Sequence, residues 1–345
     1  MDLNIAAILG VDGVINGAIY ALVAIALVLV FAVTRIVFIP QGEYVAFAAL
    51  TMALFQSGAV PGTVWLLLLM VALALVLDTV RAWRESWPLA RWAKLAVRTA
   101  ALPLVACGLT VWLAPKQPPM LVQAALTLAL VTPMGPLVYR LAYRSLASAS
   151  VLVLLIVSVG VHFALTGLGL AFFGAEGFRN PSFWDERFSL GPIALSGQAL
   201  IILIASVALI AALFVLFDRT LTGKALRATS VNQTGARLMG ISTDAAGSLS
   251  FTLAAFIGAL SGLLIGPTTT IFFDSGFLIG LKGFVAAVFA GLTSFPLALV
   301  GALGVGLIEA FGSFWASAFK EVIVFTAILP VLLWRSFVDP HDEEH

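Results

Sequence analysis

Charge is scarce in this chain. Only 10% of its 345 residues are Asp, Glu, Lys or Arg, against about 25% in a soluble domain, and the deficit excludes a water-facing globular body. A net charge of +1 offers no basic face for nucleic acid. The single cysteine, Cys107, stands in an apolar run, so no internal disulfide can form. There are three histidines, His162, His341 and His345, with no HExxH pair and no Cys/His cluster to hold a metal. The tail HDEEH (341–345) imitates ligand spacing but reads as a solvated end. A GxxxxGK[ST] phosphate loop is also missing. At Gly223–Lys224 the glycine five residues earlier is absent, and Ala225 stands where Ser or Thr is needed. The chain is therefore expected to hold no cofactor and to be no enzyme; if ATP drives its work, another subunit binds it. An intramembrane enzyme is disfavoured too, since no nucleophile or metal is paired with a base.

Apolar length is what the chain has in excess. Hydrophobic residues make up 61% and the mean hydropathy is +1.11. Runs near the ~18–20 residues that cross a bilayer recur throughout, without the short alternating segments of an outer-membrane barrel. This predicts an all-α, polytopic membrane protein, a single domain over 1–345. Spans are expected near 14–33, 43–56, 64–80, 99–114, 121–138, 149–173, 199–217 and 246–266, then an interrupted region at 281–316 and a last span at 321–335. That makes about ten, with 281–297 read as a broken, re-entrant or short crossing because Gly266–Pro267 and Gly291–Pro296 interrupt the pattern. MDLNIAAILG lacks a basic n-region, so no removable signal peptide is expected.

Basic residues give the orientation. With the N-terminus outside, thirteen of the eighteen lysines and arginines fall on one side, and Lys116, Arg179, Arg187, Lys282 and Lys320 on the other. The first side is therefore cytoplasmic. It includes 81–98, a basic, tryptophan-rich segment expected to lie at the membrane surface against lipid, and the polar stretch 218–245. The main extracytoplasmic loop is 174–198.

Few ionisable groups fall within spans, which disfavours an ion-coupled carrier. His162 is read as a hydrogen-bonded packing residue. Asp78, Lys320 and Glu321 sit at expected span ends, where snorkelling to water accounts for them. Glu43, Lys282 and Glu309 border glycine-containing segments, and structural and substrate-contacting roles both stay open. The segment TTTIFFDSG after Gly266–Pro267 offers hydroxyls for a polar mouth.

The stretch TGKALRATSVNQTGARLMGIST (222–243) predicts two short helices, from Gly223 to about Asn232 and over about 234–239, ending at Gly240. Lys224 and Arg227 share a face of the first. This segment resembles the cytoplasmic coupling loop of the permeases of branched-chain amino acid ABC importers. Gly223, Lys224, Arg227 and Ala228 match its start, and Leu238, Gly240, Ile241 and Thr243 its end. The opening NGAIYALVAIALVLVF with the turn at Gly42–Glu43 is similar to that family, as is GLKGFVAAVFAGLTSFPLALVGALGVGLIEAF with Lys282, Gly291 and Glu309–Ala310. The chain departs from the family at Val231–Asn232, where an acidic pair is usual, and at Phe38 and Gln41, where Asn and His, in that order, often precede the turn. Residues 76–120 look like an inserted pair of spans.

The resemblance implies a permease that alternates access while two ATPase subunits bind ATP and Mg. It also implies a second, related permease, an extracytoplasmic substrate-binding protein and a small amphipathic cargo such as leucine, isoleucine or valine. Gly223, Lys224, Arg227, Ala228, Asn232, Leu238, Gly240 and Ile241 would couple to the ATPases. Gly42, Glu43, Lys282, Gly291 and Glu309 are candidates for the pathway or for structural roles. The competing reading is an ion-coupled secondary carrier or channel for similar solutes.

Overall fold

A computed structural model describes residues 3–147, 149–190 and 193–338; the HDEEH tail lies outside the described residues. The chain is a bundle of helices joined mostly by short turns, with a longer connection between Phe173 and Gly197. In order these are α1 (Leu3–Thr34), α2 (Gln41–Gln56), α3 (Gly62–Arg84), α4 (Leu89–Leu113), α5 (Met120–Val131) and α6 (Met134–Val138). They continue with α7 (Val151–Phe173), α8 (Gly197–Arg219), α9 (Leu221–Val231), α10 (Gln233–Leu238) and α11 (Thr243–Ile265). The last four are α12 (Ser275–Phe289), α13 (Phe295–Ala316), α14 (Lys320–Thr326) and α15 (Ile328–Val338). The only sheet among the described residues is the antiparallel hairpin β1 (Arg187–Leu190) and β2 (Ile193–Ser196), with Arg187 opposite Ser196.

Proline punctuates the first half. Pro40, Pro61, Pro88 and Pro119 stand immediately before α2, α3, α4 and α5, where a missing N–H costs nothing. Among the described residues, eight helical segments are long and apolar enough to cross a membrane, by length and composition. Two expected spans are shorter: α2 has 16 residues and α12 has 15, about 22–24 Å at 1.5 Å per residue against a ~30 Å hydrocarbon core. The break expected within 281–297 falls on 290–294, where Gly291 and Leu292 both have positive φ (62° and 59°) and the chain turns into α13. A second irregular stretch, 266–274, precedes α12.

Helix α1 lies at the centre. Its residues from Ala18 to Val30 are all buried, and it is apolar all round, as a helix enclosed by others must be. It packs most closely on α13. A Cβ on Gly17 would meet the Leu303 Cα at 2.9 Å, and one on Gly306 the Gly13 carbonyl oxygen at 2.2 Å. In lipid, where burial gives little drive between helices, such backbone approach supplies the packing.

Two expectations change. Residues 81–98 comprise the end of α3, a turn and the start of α4, and most of them are exposed. α3 runs unbroken to Arg84 and α4 begins at Leu89, so only the turn between them is irregular. For the same reason 76–120 supplies one whole helix, α4, rather than two, because its first part is the end of α3. Asp78 does not snorkel: it is 4% exposed and forms an ion pair with Arg140. Arg140 also donates to the Thr99 hydroxyl at 2.6 Å, so one guanidinium ties α3, α4 and the π-helical turn 139–143 together. A π-turn widens the helix and re-aims its side chains, which here turns Arg140 towards Asp78 and Thr99.

Candidate functional site

Hydrogen bonds sort the ends of the bundle. At one end Gln233 Nε2 donates to the Val33 carbonyl at 2.9 Å, and Arg144 pairs with Asp244 at 2.9 Å. Arg35, Arg140, Arg144 and the α9–α10 segment therefore share that end. At the other, Asn180 donates to the Ala49 carbonyl at 3.1 Å, Gln198 to that of Leu264 at 3.0 Å, and Arg179 to that of Pro267 at 3.1 Å.

The α9–α10 segment is built to be held on one face and open on the other. Thr220 Oγ1 accepts from the Gly223 N–H at 2.9 Å and caps α9. A Cβ on Gly223 would lie 2.0 Å from the Leu216 carbonyl oxygen, so glycine lets α9 fold back on α8. Leu226 is buried with Leu29, Val33 and Ala246. Asn232 accepts from the Gly235 N–H at 2.8 Å and caps α10. Gly240, at φ +82°, ends it, and the Ile241 N–H returns to the Ala236 carbonyl at 2.9 Å. Ala228 and Ile241 are half-buried. Outward stand Lys224, Arg227, Val231, Leu238 and Met239, the last two more than 80% exposed. Large apolar side chains thus stand beside cations on the open face, a composition suited to protein contact.

Inside the spans the structure gathers the remaining candidates into two clusters. Glu43, in the first turn of α2, is wholly buried, and its Oε1 lies 3.0 Å from His162 Nδ1 near the middle of α7. Its Oε2 has no hydrogen-bond partner among the described residues. Gly42 beside it is where the start of α2 crosses the start of α12: a Cβ there would sit 1.8 Å from the Gly276 carbonyl oxygen and 2.8 Å from the Gly280 nitrogen. In the second cluster Lys282 Nζ donates to Glu309 Oε1 at 2.5 Å and to Glu321 Oε1 at 3.1 Å, and the Tyr20 hydroxyl donates to Glu309 Oε2 at 2.5 Å. Lys282 is thus a packed ion-pair partner, not a loop cation, and drops out of the sidedness count. Glu321, expected at a span end, is its second partner. Gly291 serves the turn after α12. The 266–274 stretch pairs Ile271 with Phe178 in a single antiparallel bridge and leads into α12. No group of three or more His, Cys, Asp or Glu that could hold a metal occurs among the described residues.

A family model described as branched-chain amino acid transport system / permease component matches residues 10–333. The chain belongs to this permease family. Relatives include the high-affinity branched-chain amino acid transport system permease protein BraD of Pseudomonas aeruginosa, 27% identical over 63% of this chain and 73% of BraD. The corresponding LivH of Escherichia coli is 30% identical over 56% of this chain and 65% of LivH. The permease is thus a multi-pass membrane protein whose relatives are transport subunits.

Sequence reading missed the partners within the permease's clusters: Tyr20 for Glu309, His162 for Glu43, and Arg140 for Asp78. Each pair is separated by 62 residues or more, and the only signal was the polar residue itself inside an apolar run. Asn180 was likewise unmarked, although it ties the 174–198 loop to α2.

Proposed function

We propose that this permease is the membrane subunit of an ATP-driven importer for branched-chain or related small amphipathic amino acids, working in the inner membrane by alternating access. The observation that carries the reading is α9–α10. One face is fixed to α1 and α8, and the other presents Arg227, Val231, Leu238 and Met239 to a partner. Two ATPase subunits, holding ATP and Mg, would take this surface, and their closure would move the spans as rigid bodies. The α9–α10 end is then cytoplasmic and the N-terminus extracytoplasmic. A second, related permease completes the pathway. The 174–198 loop with its β-hairpin faces the side from which a binding protein delivers cargo. The names of BraD and LivH support the cargo class.

Reconstitution of the complex in liposomes tests this. Isoleucine uptake is expected to require ATP on the α9–α10 side and to survive collapse of proton and sodium gradients. Uptake by the chain alone that follows an ion gradient would make it a secondary carrier instead, with the Glu43–His162 pair as the first place to look for the ion.

A further inference from the structure

A cavity of about 290 Å³ opens where α10 and the start of α11 meet the end of α1 and the turn after α6. This is close to the lower end of the ~300–1,000 Å³ typical of small-molecule pockets. Its lining is two-sided: Val33, Ile36 and the Tyr139 ring give an apolar floor, while Arg144, Arg237 and Asp244 give a charged rim. The charges do not cancel. Asp244 is engaged by Arg144 at 2.9 Å. Arg237 uses only its Nε, donating to Thr243 Oγ1 at 2.9 Å; its two terminal nitrogens make no hydrogen bond or ion pair among the described residues. A guanidinium with an open edge is suited to a carboxylate, which it binds through two parallel N–H donors. The excess of one positive charge selects an anionic group, and the apolar floor selects a short hydrocarbon behind it.

We propose that this cavity binds a small amphipathic carboxylate, its carboxylate on Arg237 and Arg144 and its apolar part on Val33, Ile36 and Tyr139. A branched-chain amino acid has this chemistry. Arg237 belongs to the α9–α10 segment and Arg144 to the turn after α6, so a bound carboxylate ties that segment to the spans. If the importer reading holds, the cavity faces the compartment where transported solute accumulates, and its occupancy slows further import.

Titration calorimetry on the full chain in lipid nanodiscs tests the site with three probes: isovalerate, isoamylamine and L-leucine. Isovalerate and leucine are expected to bind and isoamylamine is not. Arg237→Gln is expected to weaken isovalerate about tenfold or more, the scale of a lost charge-assisted hydrogen bond. Asp244→Asn is expected to tighten isovalerate, because it removes the carboxylate that competes for Arg144. Arg219→Gln, at an exposed arginine paired with its neighbour Asp218, controls for net charge and leaves binding unchanged. The site is overturned if isovalerate does not bind, if the amine binds equally, or if Arg237→Gln changes nothing. Should Arg237→Gln fail to fold, Asp244→Asn decides: tighter binding supports the site, and unchanged or weaker binding overturns it. Recovery of ATPase partners without isovalerate binding removes the site and leaves the importer; isovalerate binding without ATPase partners does the reverse.

Discussion

Gly42→Ala is expected to abolish recovery of folded chain. The new Cβ would lie 1.8 Å from the Gly276 carbonyl oxygen and 2.7 Å from its carbon, well inside contact distance. Both obstacles are backbone, so no rotamer change relieves them. The start of α2 would have to lift off α12, and with it Glu43 would leave His162. Strain of this kind belongs to the rare class of substitutions costing more than about 4 kcal/mol, a large share of the ~5–15 kcal/mol that holds a typical fold. Gly160→Ala in α7 is the matched control, because nothing lies within 4 Å of its Cβ position; it should leave yield and monodispersity in detergent unchanged. A Gly42→Ala chain that purifies at the wild-type level with the wild-type melting temperature would show that the α2–α12 crossing is not as close as described.

Lys282→Met is the second large effect. Lys282 and Glu309 have side chains about one-tenth exposed or less, and Glu321 about one-third. Methionine fills similar space but leaves the two carboxylates with Tyr20 as the only donor to either among the described residues. Removing one partner of a buried pair typically costs about 3–5 kcal/mol, since the surviving charge keeps its desolvation penalty. The loss should fall mostly on Glu309, the more enclosed of the two. It should appear as a drop of several degrees in melting temperature and as loosening of α14, which Glu321 ties to α12. The triple change Lys282→Met, Glu309→Gln, Glu321→Gln removes every charge at once and should recover most of the loss, because what costs is the unpaired charge and not the missing bridge. A single variant as stable as wild type, or a triple variant no better than the single, would mean that the three groups are not coupled.

What the sequence made legible followed from local physics. Continuous apolar runs marked α1, α3, α7, α8 and α11, because a span needs its own length of hydrocarbon and nothing else. α9 and α10 were legible because glycines act within a few residues: Gly223 marked the start of the first and Gly240, which takes the left-handed turn, the end of the second, while their caps Thr220 and Asn232 went unmarked. Long-range pairing was not legible. Glu43 and Lys282 were conspicuous as polar residues in apolar surroundings, yet nothing nearby in sequence named His162, 119 residues on, or Glu309. Asp78 was misread for the same reason, since a carboxylate near a span end snorkels unless a distant arginine comes to it. The length of α3 escaped because arginines and tryptophans look like a loop on hydropathy alone while forming helix as readily as leucine and phenylalanine do.

The central claim is that α9–α10 is the surface through which ATPase subunits drive this permease. The most direct measurement is gentle affinity purification of the chain from its native membrane, with mass spectrometry of whatever accompanies it. The same purification is then made on a chain carrying Arg227→Glu, Leu238→Glu and Met239→Glu, all exposed positions whose substitution should leave the fold intact. The account predicts phosphate-loop ATPases with the wild-type chain and their loss from the variant, which should still elute as a folded, monodisperse protein. Recovery of the wild-type chain without ATPases, or equal recovery of them with the variant, would contradict it.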